Sequence, residues 1–345
     1  MFSVKNSIAY LVAILFFLFS IVLGVSIGSV SIPLSTSAHV IWNSMWQFPI
    51  SNEVEDTTVA IVLNIRLPRV VLAAMVGSAL AMAGAAFQGL LQNPLADPYT
   101  LGVSSGASLG AVFVIFLGVS LPFLGSFTLP IVSIIAGFLT LLFILTFVRF
   151  IERTLSTETI ILAGILISSF LGSLISLLIA LTGEQLRQIL SWLMGSVAMR
   201  GWEYVFLFIP FFILGLFLLF LNRRELNALA FGEETARTLG VDPNKRRLMI
   251  LSGASLLTGA AVAVSGSIGF VGLVIPHLVR LVAGPDHRTL LPLSLFIGGG
   301  FLVLTDVVAR TIVAPTELPI GVITAIVGAP VFGVLLYRQR RKKFS

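Results

Sequence analysis

The side chains able to do chemistry in this sequence are few, and they do not assemble into a catalytic set. The three histidines, His39, His277 and His287, fall in three separate regions. Neither HExxH nor GxSxG occurs, and no lysine follows a glycine, as a phosphate-cradling GxxxxGK loop requires. Cysteine is absent, which removes disulfides, thiolate metal ligands and thiol nucleophiles together. What remains is cationic, amide and hydroxyl chemistry set between apolar runs. Arg66 and Arg69 bracket Leu67-Pro68, and Asp306 and Arg310 stand four apart, so that they share a helix face and can pair. In the other arrangement open to it, Arg310 projects outward with Arg66 and Arg69 as a basic rim. Such a rim would draw an acidic protein or anionic solute by steering and register. Gln88, Gln92, Asn93 and Asp97 close an apolar helix with polar groups at its edge, where unpaired groups are costly and mark a pathway. His277, just after Pro276, either touches a ligand or is a hydrogen-bonded structural residue.

The elements that position these groups are membrane helices. Of 345 residues, 57% are hydrophobic and 10% charged, against about 25% charged in soluble proteins, and mean hydropathy is +1.07. Apolar windows separated by polar or Pro/Gly turns give ten expected spans. They run roughly over 8–30, 69–92, 99–118, 126–149, 157–181, 203–221, 247–267, 271–284, 290–309 and 319–337. The window 271–284 is short enough to be a half-span, and the first run reads as an uncleaved span because no small-x-small cleavage site follows it. The second span is rich in Ala and Gly, the composition that lets membrane helices pack backbone to backbone.

With the amino terminus inside, the inner side receives sixteen Lys and Arg, including Lys5, Arg149, Arg153 and the tail Arg338–Lys343. The outer side receives five: Arg66, Arg69, Arg187, Arg200 and Arg310. This bias puts both termini in the cytoplasm and the acidic cluster Glu53, Glu55 and Asp56 outside. Gly84 precedes Pro94 by ten residues and Gly266 precedes Pro276 by ten, each in or after an Ala/Gly-rich helix with a basic start. The two helices run in opposite directions in this topology, the layout of an inverted repeat. The inner loop 222–247 predicts two short helices broken at Gly232 and stopped by Gly240 and Asp242-Pro243. It is either a docking element or a solvated connector held by its own charge pairs.

RLPR at 66–69, QNPLADPYTLGVSSGA at 92–107, AFGEETARTLGVD at 230–242, GFVGLVIPHLVR at 269–280 and ELPIGVITAIVGAPVFGVLL at 317–336 occur in that order. Together they resemble the FecCD/BtuC-like permease family of ATP-binding-cassette importers, which take up iron(III)-siderophores, haem or cobalamin. The resemblance implies an all-α polytopic protein of type II importer fold, a single transmembrane domain over 1–345 with about ten spans. It also implies a second permease subunit, either a copy or a paralogue, two ATPase subunits below and a solute-binding protein above. ATP would be held by the partner, so no cofactor or metal is expected in this chain, and no catalysis. Arg66, Arg69 and Arg310 match arginines that meet glutamates of the binding protein. Asn93, Pro94 and Leu95, with Ser156 and Thr157, match the cytoplasmic gate. Gly232, Glu233, Ala236, Leu239 and Gly240 match the segment that sits in the ATPase cleft. A corridor for a bulky chelate already selected by its binding protein needs only weak contacts, which Ser168, Ser169, Ser173 and Ser176 would offer. These serines are equally suited to helix packing. The implied cargo is an iron(III)-siderophore, with cobalamin or haem as alternatives. An ion-coupled secondary transporter is the rival from another class, with Asp306 as its best proton carrier.

Overall fold

The computed structural model describes residues 4–28, 30–49, 54–152 and 156–344, with side chains described from Asn6 to Leu335 and at Tyr337. Arg153 and Glu53 lie outside the described residues, as do the side chains of Lys5 and Arg338–Lys343. Among the described residues the chain is helical: α1 Val4–Ser26, α2 Leu34–Met45, α3 Asp56–Ala60, α4 Leu67–Leu90, α5 Val103–Leu117, α6 Thr128–Ile151, α7 Thr157–Leu181 and α8 Leu186–Leu193. There follow α9 Trp202–Leu221, α10 Arg223–Leu229, α11 Glu233–Thr238, α12 Pro243–Ser265, α13 Val271–Ala283, α14 His287–Thr311 and α15 Ile320–Phe344. Seven helical stretches are long and apolar enough to cross a bilayer, and three shorter apolar ones, Val103–Leu117, Val271–Ala283 and Ile320–Leu335, fill the remaining expected windows. The 13 residues of α13 reach only about 20 Å at 1.5 Å per residue, short of a full crossing. The half-span expectation holds there.

α4 and α14 form the heart of the protein, with α12 beside them. α1 flanks α14, α9 flanks α12, and α5, α6 and α7 make a lateral group joined through α12. In lipid there is little hydrophobic drive between helices, so close backbone approach supplies the contact. The run Gly298-Gly299-Gly300 shows how. Gly298 meets Gly77 and Ala81 of α4, Gly299 meets Ser78 and Phe17, and Gly300 meets Phe16 and Ser20 of α1. A Cβ at any of the three would collide with one of these neighbours. α14 is thereby wedged between α4 and α1. Gly84 does the same one layer inward, where a Cβ would overlap the Gly272 carbonyl of α13, and the buried Gln88 donates to Gly272 O (3.2 Å) and Leu273 O (3.1 Å). His277 of α13 is buried and packs edge-on against Phe332, a structural position.

The glycine–proline spacing read as a repeat marks unlike places. Gly84 lies inside α4 and Pro94 in the following turn, whereas Gly266 ends α12 at φ +70° and Pro276 sits within α13. Residues 31–65 hold α2, α3 and a π-helical stretch, Ile61–Arg66, that joins α3 to α4 without a break. The resulting 35-residue helix Asp56–Leu90 is about 50 Å long and must project beyond a 30 Å hydrocarbon core.

Candidate functional site

The π-helical stretch has a local cause. Pro68 has no N–H and its ring crowds the carbonyl four residues back, so the regular ladder cannot pass through Asn64. The turn widens instead, with Leu67 N–H bonding Val62 O, a distortion frequent at functional sites. Arg66 ends that turn with its side chain buried, donating to the carbonyls of Val25 (3.1 Å), Ser26 (2.9 Å) and Val30. Arg69, one turn on, is 7% exposed and forms two forks. Its Nε reaches Asp306 Oδ1 at 3.0 Å and Oδ2 at 3.1 Å, and Nη2 reaches Oδ1 at 2.9 Å. Outward, Nη1 and Nη2 meet Glu317 Oε1 and Oε2 at 2.9 and 3.0 Å. Arg310 donates to Gly24 O at 2.6 Å, and its Nε stands 3.5 Å from Asp306 Oδ2. The three arginines and Glu317 line one cavity of about 230 Å³ with Gly28, Val30, Ile61 and Ile65.

The sequence placed the three arginines together, and the structure does bring them to one cavity. It does not leave them as a solvent-facing rim. All three are buried and committed to internal acceptors. Asp306, fully buried, accepts its hydrogen bonds from Arg69 rather than from its i+4 neighbour Arg310. Glu317 escaped the sequence reading although it stands in the ELPIG run, because its partner is 248 residues away and no periodicity links them.

At the opposite end of α4 the chain turns through Gln92–Asp97. Asn93 Oδ1 accepts from Leu95 N–H (2.9 Å), and Asn93 O from Ala96 N–H (3.0 Å), which fixes the turn and leaves Pro94 and Leu95 exposed. Asp97 caps the next 3₁₀ turn, accepting from Tyr99 N–H at 3.1 Å. Burial pushes its carboxyl up to about 6, against that bond. Tyr99 reaches across to accept, at its hydroxyl, from Ile268 N–H (2.7 Å). Ser156 caps α7 by accepting from Thr159 N–H (3.3 Å), and Thr159 Oγ1 donates to Glu152 (2.8 Å). Bonds from Ser156 and Thr159 hold the Glu152 carboxyl below its ordinary range. Ser156 and Thr157 are half-buried at this corner.

The loop 222–247 folds as its sequence predicts: α10 and α11 are separated at Gly232 (φ +100°), α11 is closed by Gly240 (φ +78°), and Asp242 caps α12 through Asn244 and Lys245 N–H. Not all its matched residues face outward. Ala236 is fully buried, and Glu233 is tied to Arg247 at 2.5 Å, so both hold the segment in place. Leu239 is 65% exposed, and Phe231, which sequence reasoning passed over, is 76% exposed. Two contacts fasten α10 to its surroundings. Gln92, next to Asn93, donates to Leu229 O at 2.8 Å, and Asn227 bonds Asp286 (2.6 Å) and His287 N–H (2.9 Å) at the start of α14.

The four serines of α7 divide by helical phase. Ser169, Ser173 and Ser176, at i, i+4 and i+7, form an exposed stripe, with Ser173 and Ser176 bonding their own helix carbonyls at 3.0 Å. Ser168 is a quarter-turn away and faces Gly102, so it belongs to the packing surface with Gly164 and is no part of that stripe.

Three comparisons bear on this geometry. The pattern of the FecCD transport family matches residues 14–338. An uncharacterized ABC transporter permease protein of Bacillus subtilis is 56% identical over 96% of this chain and 94% of its own, and the hemin transport system permease protein of Yersinia pestis is 42% identical over 95% and 96%. A metal-chelate type ABC transporter solved in an inward-facing conformation superposes with a TM-score of 0.83 at 33% identity, covering 96% of this chain and 99% of its own. The match over residues 14–338, with relatives 56% and 42% identical over nearly the whole chain, identifies the all-helical protein as a member of the FecCD transport family, a membrane-spanning permease of the ABC transporter class.

Proposed function

We propose that this permease imports an iron(III)-siderophore complex delivered by a solute-binding protein and driven by ATP hydrolysis on separate subunits. The observation that carries the reading is the arrangement of α4. One end holds Arg66 and Arg69 in the outer cavity with Arg310, and the other runs into the Asn93–Leu95 turn, which Gln92 ties to α10. A binding protein presenting carboxylates would meet this cavity first at Glu317, whose side chain is 37% exposed, and then at the arginine forks behind it. Phe231 and Leu239 offer an ATPase subunit apolar purchase beside charged Glu234 and Arg237. Movement of α10 passes to the gate residues Asn93, Pro94 and Leu95, opposite Ser156 and Thr157, through the Gln92–Leu229 bond. The stripe Ser169, Ser173 and Ser176, exposed on one subunit, lines the path where a second permease subunit closes around it. Positive-inside bias puts both termini and α10–α11 in the cytoplasm.

Iron(III)-siderophore as cargo rests on the shared chemistry of hemin and metal chelates, the cargo classes in the names of the relatives above. The test of this reading is cargo competition in proteoliposomes holding the permease with its co-purifying ATPase and binding protein. Saturable uptake of a ferric siderophore, unaffected by excess hemin or cobalamin, supports it. Uptake of hemin or cobalamin in preference replaces the cargo.

A further inference from the structure

α2 is amphipathic with its faces reversed. At 100° per residue, Leu34, Ala38, Trp42 and Met45 fall on one face, and all four point away from the protein, with Leu34 53%, Trp42 60% and Met45 71% exposed. The opposite side, against α1 and the π-helical turn, buries Val40 together with the polar Ser37 and Asn43. Asn43 is satisfied there by Pro49 O at 3.0 Å and by His39 at 3.1 Å. Trp42 packs against Trp46 with tilted rings whose centroids are 5.9 Å apart, and Trp46 and Phe48 are each 58% exposed. A helix in water turns such faces the other way.

We infer that α2 is an interfacial anchor whose outward face, centred on Trp42 and Trp46, lies in the headgroup layer of the bilayer leaflet at the Arg66 end of α4. Three observations choose lipid as the occupant. Only seven residues separate the end of α1 from the start of α2, at most about 25 Å of extended chain, so α2 begins at the membrane edge. It packs on α1, whose outward side is itself exposed and apolar along Leu11, Leu15, Leu18 and Val22. No Asp, Glu, Lys or Arg occurs between Lys5 and Glu53, so the face has nothing with which to register a charged protein partner. Paired indoles, apolar in body with one N–H donor each, suit the boundary between acyl chains and headgroups. The anchor bears on the outer cavity because Gly28 and Val30, in the link to α2, form part of its wall.

The test uses the four tryptophans, of which Trp192 and Trp202 sit elsewhere. W192F/W202F protein is reconstituted with phosphatidylcholine and phosphatidylglycerol brominated either near the glycerol end or near the methyl end of the acyl chain. The anchor predicts loss of most remaining emission with shallow bromines, a smaller loss with deep ones, and weak quenching by aqueous acrylamide. Strong acrylamide quenching with no effect of brominated lipid places the face in water and overturns the proposal. Should that variant fail to fold, W42F/W46F in the otherwise native chain is read by difference. The shallow-quenched fraction of the parent must then disappear, and its persistence refutes the anchor.

Discussion

Replacing Asp306 by Asn tests whether the outer cavity is organised by charge. Asp306 is fully buried and neutralises Arg69 through three contacts of 2.9–3.1 Å, with Arg310 at 3.5 Å. Breaking one partner out of a buried ion pair costs about 3–5 kcal/mol, because the other charge is left uncompensated. Glu317 still holds the outer fork of Arg69, so the lower end of that range, about 3 kcal/mol, is the expectation. Arg69→Met alone strands Asp306 with Arg310 and is expected to cost a similar amount. Replacing both, Asp306→Leu with Arg69→Met, removes the mismatch, and the loss falls to about 1 kcal/mol, a coupling of several kcal/mol in the cycle. Glu317 is half in water and loses little when its partner goes. Read as thermal midpoints by size-exclusion of heated detergent extracts, each single variant drops by roughly 5 °C and the double variant recovers most of it. Single variants that melt within about 1 °C of the parent, or a double variant showing the sum of both losses, refute the charge argument.

Three further outcomes follow from the same contacts. Gly84→Ala puts a methyl into the Gly272 carbonyl and is expected to abolish stable expression, while Gly172→Ala, with open space around it, is expected to leave expression unchanged. Asp97 has its folded value raised to about 6 from an ordinary value near 4. The native state then binds the extra proton, so this residue makes the protein more stable as pH falls from 7 to 4. Asp97→Asn should flatten that pH dependence of the midpoint and raise stability at pH 7.5, and an unchanged slope contradicts the assignment. Phe231→Ser with Leu239→Ser removes two exposed apolar side chains and should abolish co-purification of the ATPase while the thermal midpoint stays put. Retained co-purification would move the ATPase contact elsewhere.

Much of this fold was legible because bilayer length and backbone breakers are local signals. Every expected apolar window contains a helix, and Gly232, Gly240 and Asp242-Pro243 interrupt the inner loop where their φ preferences and capping chemistry demand. Within 31–65 the elements are not legible, because α2 is short and has no charged face and the π-helical turn has no hydrophobic period of its own. Residue types marked Arg66, Arg69 and Arg310 as a group, but which acceptors they hold depends on partners 36 to 286 residues distant. Likewise the inward phase of Ser168 and Ala236 depends on how α7 and α11 are rotated against their neighbours, which composition does not encode.

The central claim is ATP-driven import through this permease, and the most direct measurement is cargo accumulation in sealed proteoliposomes with the ATPase inside and the binding protein outside. The account predicts labelled ferric siderophore accumulating only with internal ATP and external binding protein, and not with Arg69→Ala protein that remains folded. Accumulation that proceeds without ATP and follows an imposed proton or sodium gradient contradicts it.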